Sequence, residues 1–175
     1  MGLKPILAAG LAAGMAMFLF QAAIHATPYA HPGLESMARE GLIIDTLDSG
    51  VGGQSGYFYF PGDRAAPPTR RSGLLLFHED NKFLETPADF ALELAKDLLQ
   101  GLVFAYLLSL VAGNRSRRFA AVVATGALVS ISVLGSNWIW YAFPGTYILG
   151  QMAIVMLGYV VGGSIAAATL PRKVS

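Results

Sequence analysis

The sequence predicts an all-α membrane protein: four transmembrane helices, with a small α+β extracytoplasmic insertion between helices 1 and 2. Three observations lead there. Of the 175 residues, 54% are hydrophobic and only 13% are charged, about half the charged share of a soluble domain. The stretches 5–26, 119–144 and 145–171 contain no Asp, Glu, Lys or Arg, and about 20 apolar residues suffice to span a bilayer. All eleven acidic residues fall between Glu35 and Asp97, so polarity is confined to one intervening segment.

The elements follow in order. Residues 1–26 form the first span. Lys4, an apolar core and small residues near Ala26 also suit a cleaved signal peptide. However, Ile24 occupies the −3 position of that cleavage site, where a small residue is preferred, so a retained helix is expected. Residues 27–86 form the insertion. Pro32-Gly33 breaks the chain, and Leu34, Met37, Ala38, Gly41 and Leu42 recur at three- and four-residue spacing, predicting an amphipathic helix that ends near Asp48. A glycine-rich turn over 49–56 leads into the aromatic run 57–60, and 72–78 is its partner strand. Pro61-Gly62 ends the first strand, and 65–69 is a connector.

Thr86-Pro87-Ala88-Asp89 spells a helix start. Thr caps, Pro takes the first position where its missing N–H costs nothing, and Asp sits where a capping box wants a carboxylate. That helix runs amphipathically through Phe90, Leu92 and Leu94 into a second span over 98–113. Residues 87–175 thus hold spans two to four, a short Arg loop and a C-terminal tail.

Charge sets the orientation. Segment 35–97 carries eleven acids against six Lys and Arg, a net of −5. Arg115, Arg117 and Arg118 lie between spans two and three, Arg172 and Lys173 in the tail, and Lys4 near the start. The positive-inside rule places both termini and the Arg loop in the cytoplasm and residues 27–86 outside.

Asp89, Glu93 and Asp97 are four apart, with Gln100 three further on, and form one stripe on the second helix. Like charges at this spacing repel, so the stripe needs water, cations or basic partners. Asp89 and Glu93 read as solvated, whereas Asp97 and Gln100 approach the membrane, where ionisable groups are usually paired. Lys96 can snorkel outward and points about 100° away from Asp97. Gln21 and His25 end span one, Asn137 ends span three, and Tyr147 and Gln151 begin span four, all at a similar outer-leaflet height. Together with Asp97 and Gln100 they form either interhelical hydrogen bonds that fix the bundle, which is the expectation, or a pocket for a lipid, quinone or small polar ligand.

The string S-N-W-I-W-Y-A-F-P-G at 136–145 holds both tryptophans. Trp138, Trp140, Tyr141 and Phe143 read as interface anchors around a tight outer hairpin, with Asn137 turned inward; lining a binding site is the other option. Gly10 and Gly14 in span one, and Gly158 and Gly162 in span four, form G-x-x-x-G pairs that let helices approach closely, within the bundle or against another protein.

Catalytic signals are absent. There is no Cys, so disulfides, thiolate sites and Cys nucleophiles are excluded. The glycine string 50–56 lacks the Lys of a phosphate loop, and G-Q-S-G-Y around Ser55 departs from the nucleophile elbow. His25, His31 and His78, with Glu79 and Asp80, match no metal-ligand spacing, so no metal or other cofactor is expected. No paired charges are expected at mid-membrane depth, which argues against transport.

The strings G-Y-F-Y-F-P-G at 56–62, G-L-L-L-F-H at 73–78, Asp97-Leu98-Leu99 and N-W-I-W-Y-A-F-P at 137–144 resemble the pattern of a group of small bacterial four-span membrane proteins without an assigned activity. The likeness covers about residues 5–165, and it departs where this chain reads N-W-I-W and the group's pattern reads W-N-W. It implies the topology and a bacterial inner-membrane location, and implies nothing about catalysis. The expected role is non-enzymatic: an accessory or assembly subunit whose partners are other integral membrane subunits and the lipid bilayer, not nucleic acid. The alternative is a membrane protein that binds a lipid, quinone or small polar ligand in the outer-leaflet cluster.

Overall fold

The computed structural model describes residues 2–27, 37–62, 67, 69, 71–79, 86–111 and 115–171. The break at Pro32-Gly33, Leu34, most of the connector 65–69, His31, Asp80, Arg172 and Lys173 lie outside the described residues; Met37 and Ala38 are described, and the insertion helix starts only after them, at Glu40, because Arg39 takes a left-handed conformation that is not helical. The elements in chain order are α1 (Leu3–His25), α2 (Glu40–Val51), β1 (Gly56–Phe60), β2 (Gly73–Phe77), α3 (Pro87–Leu110), α4 (Arg115–Tyr141) and α5 (Gly145–Thr169). They fall into two units, one of Met1–Gly33 with Thr86–Ser175 and one of Leu34–Glu85.

The larger unit is helical. Three of its helices, α1, α4 and α5, are long and apolar enough to cross a membrane. α3 has 24 residues, but Glu93, Lys96 and Asp97 interrupt its apolar run. The polarity of the unit is inverted relative to a soluble bundle. Its core is mostly small, with Ala9, Ala13, Ala105, Ala166 and Ala167 around Phe104, Leu108 and Val122. Large aliphatic side chains such as Leu11, Leu128 and Leu149 point outward. A soluble protein hides such residues; helices in lipid keep them outside and place small ones where helices touch.

α1 packs along α3 and α5, α5 packs on α4, and α3 barely touches α4. Glycines make the closest approaches. A Cβ on Gly10 would lie 2.7 Å from Cα of Leu102, and one on Gly14 would lie 2.6 Å from Cα of Leu98. From the other side, a Cβ on Gly101 would lie 2.7 Å from Cα of Gly14. These helices therefore meet backbone to backbone. On α5, Gly162 receives Met17, and Gly163 receives Phe104 and Val122. Gly158 has room, with Phe20 no closer than 3.8 Å. The G-x-x-x-G faces are thus used inside the bundle, between α1 and its two neighbours.

The helix ends have identifiable causes. The capping box at the start of α3 is complete: the Asp89 N–H donates to Oγ1 of Thr86 at 3.3 Å and the Thr86 N–H donates to Oδ2 of Asp89 at 2.9 Å. Thr86→Ala is expected to cost about 1 kcal/mol and to speed hydrogen exchange in the first turn of α3. Adding Asp89→Ala should bring little further change, because the two residues share one box.

The arginine connection departs from expectation, since Arg115, Arg117 and Arg118 form the first turn of α4 instead of a loop. Arg118 is buried, and its guanidinium donates from Nη1 to the Leu170 carbonyl at 3.1 Å and from Nη2 to the Pro171 carbonyl at 3.0 Å. These carbonyls lie just past α5, where helix ends leave acceptors unpaired and favour a positive charge. At the other end, Ala142 takes a positive φ of 53° that stops α4, and Pro144 opens α5.

In the smaller unit, α2 extends one turn beyond its expected end. Thr46 and Ser49 donate to the Leu42 and Asp45 carbonyls and so do not break the helix. Gly52 and Gly53, both at positive φ, stop it. β1 and β2 form an antiparallel hairpin with Gly56 opposite Phe77 and Phe60 opposite Gly73. The Glu79 N–H reaches Oγ of Ser55 just beyond the ladder.

Candidate functional site

The site begins with the α1–α3 approach. The Asp97 backbone packs against Gly14, with its carbonyl oxygen 2.5 Å from where a Gly14 Cβ would stand. Gly14 is the midpoint of Leu3–His25. Asp97 therefore lies level with the middle of α1, whereas Gln21 and His25 stand nearer its C-terminal end. Its side chain is fully buried.

Two groups meet that carboxylate, and a second carboxylate joins through one of them. Nε2 of Gln21, from the C-terminal half of α1, donates to Oδ1 at 3.1 Å and to Oδ2 at 3.3 Å. Nζ of Lys96 lies 3.3 Å from Oδ1 and also pairs with Oε1 of Glu93. The expectation that Lys96 points away from Asp97 is corrected here. Successive helical residues do diverge by about 100°, but four methylenes let the ammonium fold back between two carboxylates. Two carboxylates share one ammonium, so the Glu93–Lys96–Asp97 group carries one negative charge in excess when all three are ionised.

Burial divides the group. Asp97 is enclosed, whereas the side chains of Glu93 and Lys96 are each 43% exposed. They lie on the face of α3 that borders a cleft of about 360 Å³ between α3 and α4. Gln100, Val103 and Leu107 line one wall, Thr125 and Val129 the other, and Tyr159 of α5 sits between them. The Tyr159 ring meets Phe104 edge-on at 5.5 Å, and the Thr125 hydroxyl donates back to the Ala121 carbonyl. The lining is apolar apart from Gln100, Thr125 and the Tyr159 hydroxyl.

Gln21 thus meets Asp97, and Gln100 lines the cleft. His25 is exposed in the last turn of α1, Asn137 is half-buried in the last turns of α4, and Gln151 is half-buried in the second turn of α5. Tyr147 stacks on Phe143 at 5.4 Å. Trp138, Trp140 and Tyr141 are exposed at the end of α4. Among the described residues no three His, Asp or Glu side chains gather as a metal would require.

The sequence singled out Lys96 and Arg118 for their charge alone, and Gly101, Gly163 and Tyr159 not at all. Lys96 could have been found by counting it with its neighbours, since Asp89, Glu93, Lys96 and Gln100 follow one another at spacings of four, three and four. Nothing local marks Tyr159 or Arg118, whose roles depend on which helices become neighbours. Comparison with protein-family models, curated proteins and solved structures finds no match.

Proposed function

We propose that this chain is a non-catalytic, four-span protein of the bacterial inner membrane that acts as an accessory or assembly subunit of a larger membrane complex. The supporting observation is the pair Glu93 and Lys96, joined through Lys96 to Asp97 beside the middle of α1, with 43% of each side chain exposed. α1 is apolar enough to cross a bilayer, and α3 runs along it, so these charges stand at bilayer depth on an open face. A charge against hydrocarbon costs several kcal/mol, and such groups face protein or water instead. A second protein over this face of α3 removes that cost. The termini are then cytoplasmic and residues 27–86 extracytoplasmic, by the charge asymmetry.

The hairpin favours the same role independently. Tyr59 and Leu76 are more than half exposed, on a two-stranded sheet that is marginal alone in water. Apolar surface of this kind marks a contact with another protein.

A second role, holding a lipid or quinone, has the cleft in its favour. Its volume of about 360 Å³ falls in the range of small-molecule sites, and Gln100 and Tyr159 offer polar groups amid apolar walls.

Purification separates the two. The tagged full-length chain, expressed at native level and extracted in mild detergent, is expected to carry a membrane protein in fixed stoichiometry. Recovery of the chain alone with a stoichiometric lipid or quinone would replace the subunit role by the ligand role.

A further inference from the structure

Along α3 the residues Asp89, Glu93, Lys96, Gln100, Val103, Leu107 and Leu110 succeed one another at spacings of four, three, four, three, four and three. That is the 3.5-residue repeat by which one helix presents a continuous seam to another. Every member is exposed or half-exposed, and the inner half of the seam lines the open cleft beside Thr125 and Val129 of α4. Meanwhile α3's opposite flank is already filled by α1 through Gly10, Gly14 and Gly101. From Glu93 to Leu110 the seam is therefore a second packing face, open among the described residues, on a helix that already has one partner.

Resting on the subunit role, we infer that the occupant is a single transmembrane helix of another protein, laid along the α3 seam with its side chains entering the cleft. It carries a lysine or arginine level with Glu93 and Asp97. Charge complementarity selects this occupant. Two carboxylates share the Lys96 ammonium, and at bilayer depth the surplus negative charge calls for one more cation. A second copy of this chain brings the same surplus and doubles it. A lipid tail suits Val103, Leu107 and Leu110 but leaves Glu93 and Lys96 against hydrocarbon. A helix with one basic residue toward its outer half and aliphatic residues toward its inner half matches both ends of the seam.

The test uses the full-length tagged chain at native level in intact membranes. A photoreactive phenylalanine analogue is placed at Val103 or Leu107 on the seam, and at Leu128 or Leu149 on the outer faces of α4 and α5. The adducts are mapped by peptide mass spectrometry. The expected result is adducts from Val103 and Leu107 to one apolar segment of another protein, with a Lys or Arg within about two turns of the cross-link. Glu93→Gln, which keeps the Gln21–Asp97 bond, should lower that adduct on the order of tenfold by removing one partner of an enclosed charge pair. Adducts to a second copy, to lipid, or to a segment without a basic residue would overturn the inference, as would an adduct indifferent to Glu93→Gln. Co-purification of a partner that cross-links only from Leu128 or Leu149 would sink the seam and leave the subunit role standing. If neither a partner nor a protein adduct appears, both fail.

Discussion

Gly101→Leu is expected to separate α1 from α3 and to destabilise the helical unit by about 3 kcal/mol or more, at or above the upper range for overpacking a core. The cost is high because the obstructing atoms are backbone. A Cβ at Gly101 would meet the Gly10 carbonyl and stand 2.7 Å from Cα of Gly14, so no rotamer change relieves it and one helix must move. Moving it also draws Gln21 away from Asp97. Gly158→Ala provides the contrast. Its new methyl finds only ordinary contact with Phe20 at 3.8 Å, and replacing a helical glycine lowers the unfolded chain's entropy, so it should be neutral or stabilising by about 0.5–1 kcal/mol. Unfolding by SDS titration in mixed micelles, followed by circular dichroism, ranks the two. Equal stability of both variants would mean that α1 and α3 do not meet at glycine.

Lys96→Met is the second large effect, about 1–3 kcal/mol, because it strands the buried Asp97 carboxylate although Lys96 itself is 43% exposed. The substitution keeps most of the side-chain volume and removes the one cation between Glu93 and Asp97. What remains among the described residues is two carboxylates, with the Gln21 amide donating to one of them. Adding Asp97→Asn to Lys96→Met should recover more than half of the loss, because the stranded buried charge disappears while an oxygen remains to accept from Gln21. The same titration measures the double-mutant cycle. Additive losses would indicate that Lys96 and Asp97 do not interact in the folded protein.

The helical elements were legible from the sequence because each is a local statement. Apolar runs of more than 20 residues, Thr86-Pro87-Ala88-Asp89, and two short β-prone runs flanked by glycine and proline state their conformation within a few residues. The site was less legible, because depth is a property of neighbours. Position along α3 put Asp97 near the membrane's edge, whereas the Gly14–Gly101 contact decides that it stands beside the middle of α1. The same holds for Arg118: its charge was legible, and its use as a cap for the end of α5 depends on α4 and α5 being adjacent. Lys96 was set aside on helical geometry that is correct for Cβ and wrong for the end of a long, flexible side chain.

α3 is the element on which the subunit role and the charged seam both rest, and its crossing of the membrane can be measured directly. The chain contains no cysteine, so Ser72→Cys before α3 and Ser116→Cys after it each introduce a single thiol at an exposed position. Intact cells or spheroplasts are treated with a membrane-impermeant thiol reagent, with and without permeabilisation. The account predicts that Cys at 72 reacts from outside and Cys at 116 reacts only after permeabilisation. Both thiols reacting from the same side would mean that α3 does not cross, and the charges of Glu93 and Lys96 would then need no partner helix to cover them.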